Sequence, residues 1–176
     1  MADLNKFAEW LSTTSPSVFI QKHEAWMIPT IQSIHIVGIG LVVGSILMVA
    51  LRIFGVAGTD QTLGQTHSRF APWISWSLVL LLVTGLLMVI GEPVRELVTV
   101  SFWVKMALVL AIVAVGVAFR NAVAAQAQRS ETAGPASGSA RLAAALTLLA
   151  LVLIIMLGRF IAYDHVWGPL SPATKA

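Results

Sequence analysis

The chain has 176 residues, of which 57% are hydrophobic and 11% charged, and its mean hydropathy is +0.86. Soluble domains carry about 25% charge, so this composition excludes an ordinary water-soluble enzyme and predicts a membrane protein. The 11 Lys and Arg against 8 Asp and Glu leave a net charge of +3, but the cations are not gathered into a patch, so no nucleic-acid partner is expected. Cysteine is absent, which removes disulfides, thiolate metal sites and a cysteine nucleophile from consideration.

In chain order, Ala2 to Leu11 mixes Phe7, Trp10 and Leu11 with Asp3, Lys6 and Glu9, a pattern that predicts a short interfacial helix over about 2–13. No basic segment precedes it and no cleavage site follows, so no removable signal peptide is expected. A spanning helix needs about 20 mostly apolar residues. The first such stretch, Met27 to Leu51, contains His35, and the second, Phe70 to Gly91, contains no charge. The third, Leu97 to Phe119, reaches that length only with Lys105 inside it, because Met106 to Phe119 alone would rise only about 21 Å. The fourth, Leu142 to Tyr163, likewise includes Arg159. A tight connection joins Glu92 to Glu96, and 124–140 reads as a frayed helix end followed by a flexible loop. The expected fold is therefore all-α: a single membrane domain over 1–176, an up-down-up-down four-helix bundle with a short interfacial helix before it.

Charge outside the spans predicts the orientation. The loops after the first and third spans carry Arg52, Arg69, Arg120, Arg129 and Arg141 against Asp60 and Glu131. The other side carries Lys6, Lys22, Arg95 and Lys175 against Asp3, Glu9, Glu24, Glu92, Glu96 and Asp164. The first side is thus cationic and cytoplasmic, and both termini are expected in the periplasm of a bacterial inner membrane. Tryptophan, phenylalanine and tyrosine near both ends of the spans read as interfacial belts.

On this topology the polar residues collect in the outer half. His35 lies about 12 Å inside the first span and Lys105 at a similar depth in the third, while Arg159 shares a helix face with Tyr163 four residues on. His23 and His165 flank the same end, and His67 stands at the opposite one. Two readings stay open for each. Lys105 and Arg159 could snorkel to the headgroups, and His35 could make an interhelical hydrogen bond with Gln32 nearby. Alternatively they form a cofactor site: a b-type haem needs an axial nitrogen, an apolar slot and cations for its propionates. His35, the space beside Gly38, and Lys105 with Arg159 would supply these. A copper site on His35, His23 and His165, with the thioether of Met27 as a soft ligand, is the metal alternative. A quinone or anionic head group held by His35, Lys105, Arg159 and Tyr163 needs no metal. No nucleophile–base–acid set, Walker loop or zinc-protease motif occurs, so hydrolytic or ATP-driven chemistry is not supported.

Three patches carry a resemblance: Ile34-His35-Ile36-Val37-Gly38, Phe102-Trp103-Val104-Lys105, and Gly158-Arg159-Phe160-Ile161-Ala162-Tyr163. Together they resemble an uncharacterised family of small bacterial four-helix membrane proteins, and the chain is more distantly similar to copper-resistance membrane domains and b-type cytochromes. The resemblance implies that His35, Lys105, Arg159 and Tyr163 matter, without assigning their roles. The leading expectation is an inner-membrane redox or cofactor-binding subunit, a b-type cytochrome exchanging electrons with quinone or a periplasmic partner. A copper-handling membrane protein and a non-catalytic assembly subunit of a larger membrane complex are the alternatives.

Overall fold

The computed structural model describes residues 2–128 and 137–161, and every regular element among them is helical. Two short helices come first, α1 (Ala2–Ser12) and α2 (Ser15–Lys22). Four helices among the described residues are long and apolar enough to cross a bilayer. They are α3 (Glu24–Phe54), α4 (Leu63–Gly91), α6 (Val100–Gln128) and α7 (Gly138–Ile161), with the five-residue α5 (Pro93–Leu97) between the second and third. The chain is a multi-pass membrane protein. Its many exposed large apolar side chains, such as Leu82, Leu110 and Val152, then face lipid.

The helices start and stop where backbone chemistry dictates. Thr62 and Gln65 form a reciprocal capping box, Gln65 N–H donating to Thr62 Oγ1 at 3.1 Å and Thr62 N–H to Gln65 Oε1 at 2.9 Å. That cap starts α4 seven residues before Phe70, the first residue of the expected apolar span. At the other end of the preceding helix, Gly55 adopts φ +75° and Val56 N–H returns to Leu51 O at 2.9 Å. This left-handed cap terminates α3. Between the expected interfacial helix and the first span the chain forms a further helix, α2, begun by Thr14 and Pro16, in the first turn where a missing N–H does no harm.

Packing joins α3 to α4, α6 to α7, α3 to α7 and, more thinly, α4 to α6. Two buried clusters mark the opposite ends. One gathers Val49, Ala50 and Ile53 of α3 with Ala144 of α7, and Phe70 and Phe119 lie against it. The other gathers Ala8, Leu97, Phe102 and Ile161, so α1 lies over α5 and the adjoining ends of α6 and α7. Ala8 is fully buried there while Phe7 and Trp10 stay exposed and face each other at 5.7 Å. This small inward residue and aromatic outer face suit a helix lying at a membrane surface.

Helix α2 is held down at Gly91. A methyl group at that position would stand 2.9 Å from both Ile20 Cγ2 and Ile28 Cδ1, closer than carbon atoms tolerate. Gly91→Ala is therefore expected to overpack the contact and cost about 1–3 kcal/mol. Thermal unfolding in detergent should show a lowered midpoint, whereas Gly116→Ala, whose added methyl meets nothing within 4 Å, should show no loss. Equal midpoints for the two variants would contradict this packing.

Candidate functional site

The centre of the outer polar group is a hydrogen bond between α3 and α4. His35 Nδ1 lies 2.7 Å from Thr84 Oγ1, and Thr84 Oγ1 lies 2.7 Å from the carbonyl oxygen of Leu80. A carbonyl can only accept, so the threonine proton points to Leu80 and its lone pair must receive the N–H of His35. In the neutral ring this arrangement puts the proton on Nδ1 and leaves Nε2 its lone pair. The ring edge passes Gly85, where an added methyl would stand 3.7 Å from His35 Cε1, an ordinary contact. Thr84 is buried and His35 half-buried.

Lys105 approaches from α6, near enough to His35 for their charges to interact. Its Nζ lies 5.2 Å from the centre of the Phe102 ring, where the π face partly compensates a desolvated ammonium. Its stem runs past α7 at Gly158, where an added methyl would come within 3.9 Å of Lys105 Cδ.

Behind Lys105 stands Glu96 of α5, a charge that sequence reasoning counted among solvated loop residues. Its residue exposure is 8%. Burial pushes its carboxyl above the usual range, while the cations of Lys105 and Arg95 act in the opposite sense and Glu92 adds to the rise. Arg95 is itself occupied, with Nη1 2.7 Å from both carboxylate oxygens of Glu92. Thr84 and Glu96 are the two site residues that pattern reading missed. Thr84 sat unremarked in an apolar run, and Glu96 looked like part of a five-residue connection.

Other expected members do not join this group. The room anticipated beside Gly38 is filled by Leu81 and Leu80, whose side-chain atoms would lie 3.1–3.4 Å from an added methyl. Gly38 thus serves close packing of α3 on α4. Arg159 has an exposed side chain and does not face the interior. His23 closes the turn between α2 and α3, with Nδ1 donating to Phe19 O at 2.9 Å. Twelve residues of helix separate it from His35, about 18 Å along the axis, too far to share one metal ion. The interhelical hydrogen bond expected of His35 is made to Thr84. His67 lies about 26 Å along α4 from Thr84 and packs on Phe119 with ring centres 5.7 Å apart. Among the described residues no group of three or more His, Cys, Asp and Glu is placed to hold a metal ion. Tyr163 and His165 lie outside the described residues.

Residues 7–164 match the model of a family of unknown function, DUF6644, and the chain belongs to that family. The match takes in His35, Lys105 and Arg159 together with all four long apolar helices. No curated protein and no solved structure matches the chain.

Glu96 carries a pH signature. A carboxyl that holds its proton to higher pH in the folded chain than in the unfolded one favours folding at low pH. That contribution is lost as pH rises from the ordinary carboxylate range through the raised native value. Unfolding midpoints in detergent across that range should fall with pH for the wild type and fall less for Glu96→Gln. A wild-type minus variant difference that stays flat, or slopes the other way, would contradict the burial of this carboxyl.

Proposed function

We propose that this family member is a redox subunit of the bacterial inner membrane in which His35, through Nε2, would hold a b-type haem. The observation that carries this reading is the chain of hydrogen bonds from His35 Nδ1 through Thr84 to the Leu80 carbonyl. Metal-ligating histidines characteristically donate their second ring N–H in this way, which orients the ring and raises the basicity of the free nitrogen. The same tautomer does not suit a direct hydrogen bond to a quinone carbonyl, because an unprotonated Nε2 has no proton to donate.

Haem would supply one-electron exchange. The chain's own residues would do the rest: Thr84 would orient the imidazole and Lys105 would offer a cation to a propionate, while the slot for the macrocycle is not the space beside Gly38, which Leu80 and Leu81 fill. Among the described residues His35 is the histidine that would hold such a group, since His23 and His67 are remote from it.

The topology that accompanies this reading is an up-down-up-down four-helix bundle with both termini periplasmic. The two buried clusters support the alternation, because the end of α3 meets the start of α7 at one end while α5 meets the start of α6 and the end of α7 at the other. The distribution of cations supports the orientation.

Lys105 and the buried Glu96 favour a second reading, a quinol-binding site. Here the unprotonated Nε2 of His35 would accept a hydrogen bond from a quinol hydroxyl, with Lys105 and Glu96 as the nearby polar groups.

An absorption spectrum of the purified protein, with iron and copper analysis of the same sample, separates the possibilities. The haem reading predicts a Soret band that His35→Ala abolishes and His67→Ala retains, with helix content unchanged in both. Equal haem in the wild type and His35→Ala would overturn the ligand assignment. A colourless wild type that releases quinone on extraction would select the second reading, and copper lost with His35 would instead indicate a metal-handling protein.

A further inference from the structure

The opposite end of α3 and α4 carries an independent feature. Where the two helices meet their connecting loop there is a cavity of about 180 Å³ whose lining includes both Arg52 and Arg69. It opens along the crevice into an apolar trough of about 460 Å³, and the two spaces share Met48 and Phe70 as common walls. Gly40 and Gly44 form part of the trough's floor, and Trp73 stands at its side. A methyl group on either glycine would meet nothing within 4 Å. The Gly40-to-Gly44 spacing, which in a membrane helix often marks close helix packing, is here an open surface.

The cavity is built for an anion. Arg52 Nε donates to the backbone oxygen of Gln61 at 2.7 Å, which anchors the guanidinium plane and leaves its two terminal nitrogens as donors. Gly58, at φ +66°, brings the loop backbone over the arginine stem, since an added methyl there would stand 3.7 Å from Arg52 Cδ. No carboxylate is among the described residues lining the cavity. The loop's acid, Asp60, is exposed and outside the lining. The planar forks of the two guanidinium groups match phosphate oxygens.

We infer that this crevice binds an anionic phospholipid, with its phosphate on Arg52 and Arg69 and one acyl chain along Gly40 and Gly44. The dimensions agree. From Gly40 to Arg52 is 12 residues of helix, about 18 Å, close to half of a hydrocarbon core about 30 Å thick. A free phosphate would use the cavity and leave the trough without an occupant. A second copy of this chain paired in parallel through Gly40 and Gly44 would bring its own Arg52 to the same depth, and the two cationic ends would repel.

The test uses the full-length protein, delipidated in neutral detergent and then exposed to dioleoyl phosphatidylglycerol or dioleoyl phosphatidylcholine, with bound lipid counted by native mass spectrometry. Phosphatidylglycerol should be retained about tenfold more strongly, the difference expected from charge-assisted hydrogen bonds to the phosphate and the anionic surroundings. Arg69→Gln, which leaves the Arg52–Gln61 bond in place, should remove most of that preference. Gly44→Leu fills open space without displacing protein atoms and should lower retention of both lipids, with helix content by circular dichroism unchanged. Equal retention of the two lipids by the wild type would overturn the proposal. So would inorganic phosphate binding that competes with neither lipid and is unaffected by Gly44→Leu, or a dimer in sedimentation that Gly44→Leu dissociates without altering lipid retention.

Discussion

The polar architecture of this protein rests on one threonine hydroxyl that serves two partners within an apolar helix pair. Thr84 Oγ1 gives its proton to the Leu80 carbonyl and receives that of His35, both at 2.7 Å. In hydrocarbon an unpaired imidazole N–H costs several times what it would in water, so the bond holds α3 and α4 in register as well as orienting the ring. Gly38 makes the close approach possible by leaving room for the leucine side chains of α4.

A second constraint is the charge of Lys105. An ammonium at membrane depth needs compensation, and the Phe102 ring on its own helix supplies part of it. Helix α1 then closes over α5 through Ala8 and Leu97. The short amphipathic segment before the spans thus acts as a cover for the charged end of the helical assembly, with Phe7 and Trp10 turned outward. The two ends of the molecule consequently differ. One holds a histidine, a lysine and a buried acid; the other holds paired arginines over an open apolar crevice.

Hydropathy made the four long helices legible, since each span needs its run of apolar residues whatever its neighbours are. Their starts were less visible. The capping box at Thr62 and Gln65 and the Thr14-Ser15-Pro16 start of α2 are written in polar residues that a hydropathy reading treats as loop. His35 and Lys105 stood out because charge and imidazole are costly in a membrane. Thr84 did not, because a threonine can bond its own helix backbone and so reveals nothing about a second partner. Glu96 was hidden for the opposite reason: its position between two spans suggested solvent, and only the packing of α1 and α5 buries it. Gly38 was misread because the sequence cannot say whether space beside a glycine is filled by a ligand or by a leucine from the next helix.

The central claim is the protonation pattern of one ring, and nitrogen-15 NMR of the histidine-labelled protein in detergent or bilayers reads it directly, with His35→Ala identifying the resonance. The account predicts for the wild type a protonated Nδ1 and an unprotonated Nε2 on His35, a pattern that Thr84→Ser preserves and Thr84→Val loses. A wild-type spectrum with the proton on Nε2 and a bare Nδ1, or one that Thr84→Val leaves unchanged, would contradict it.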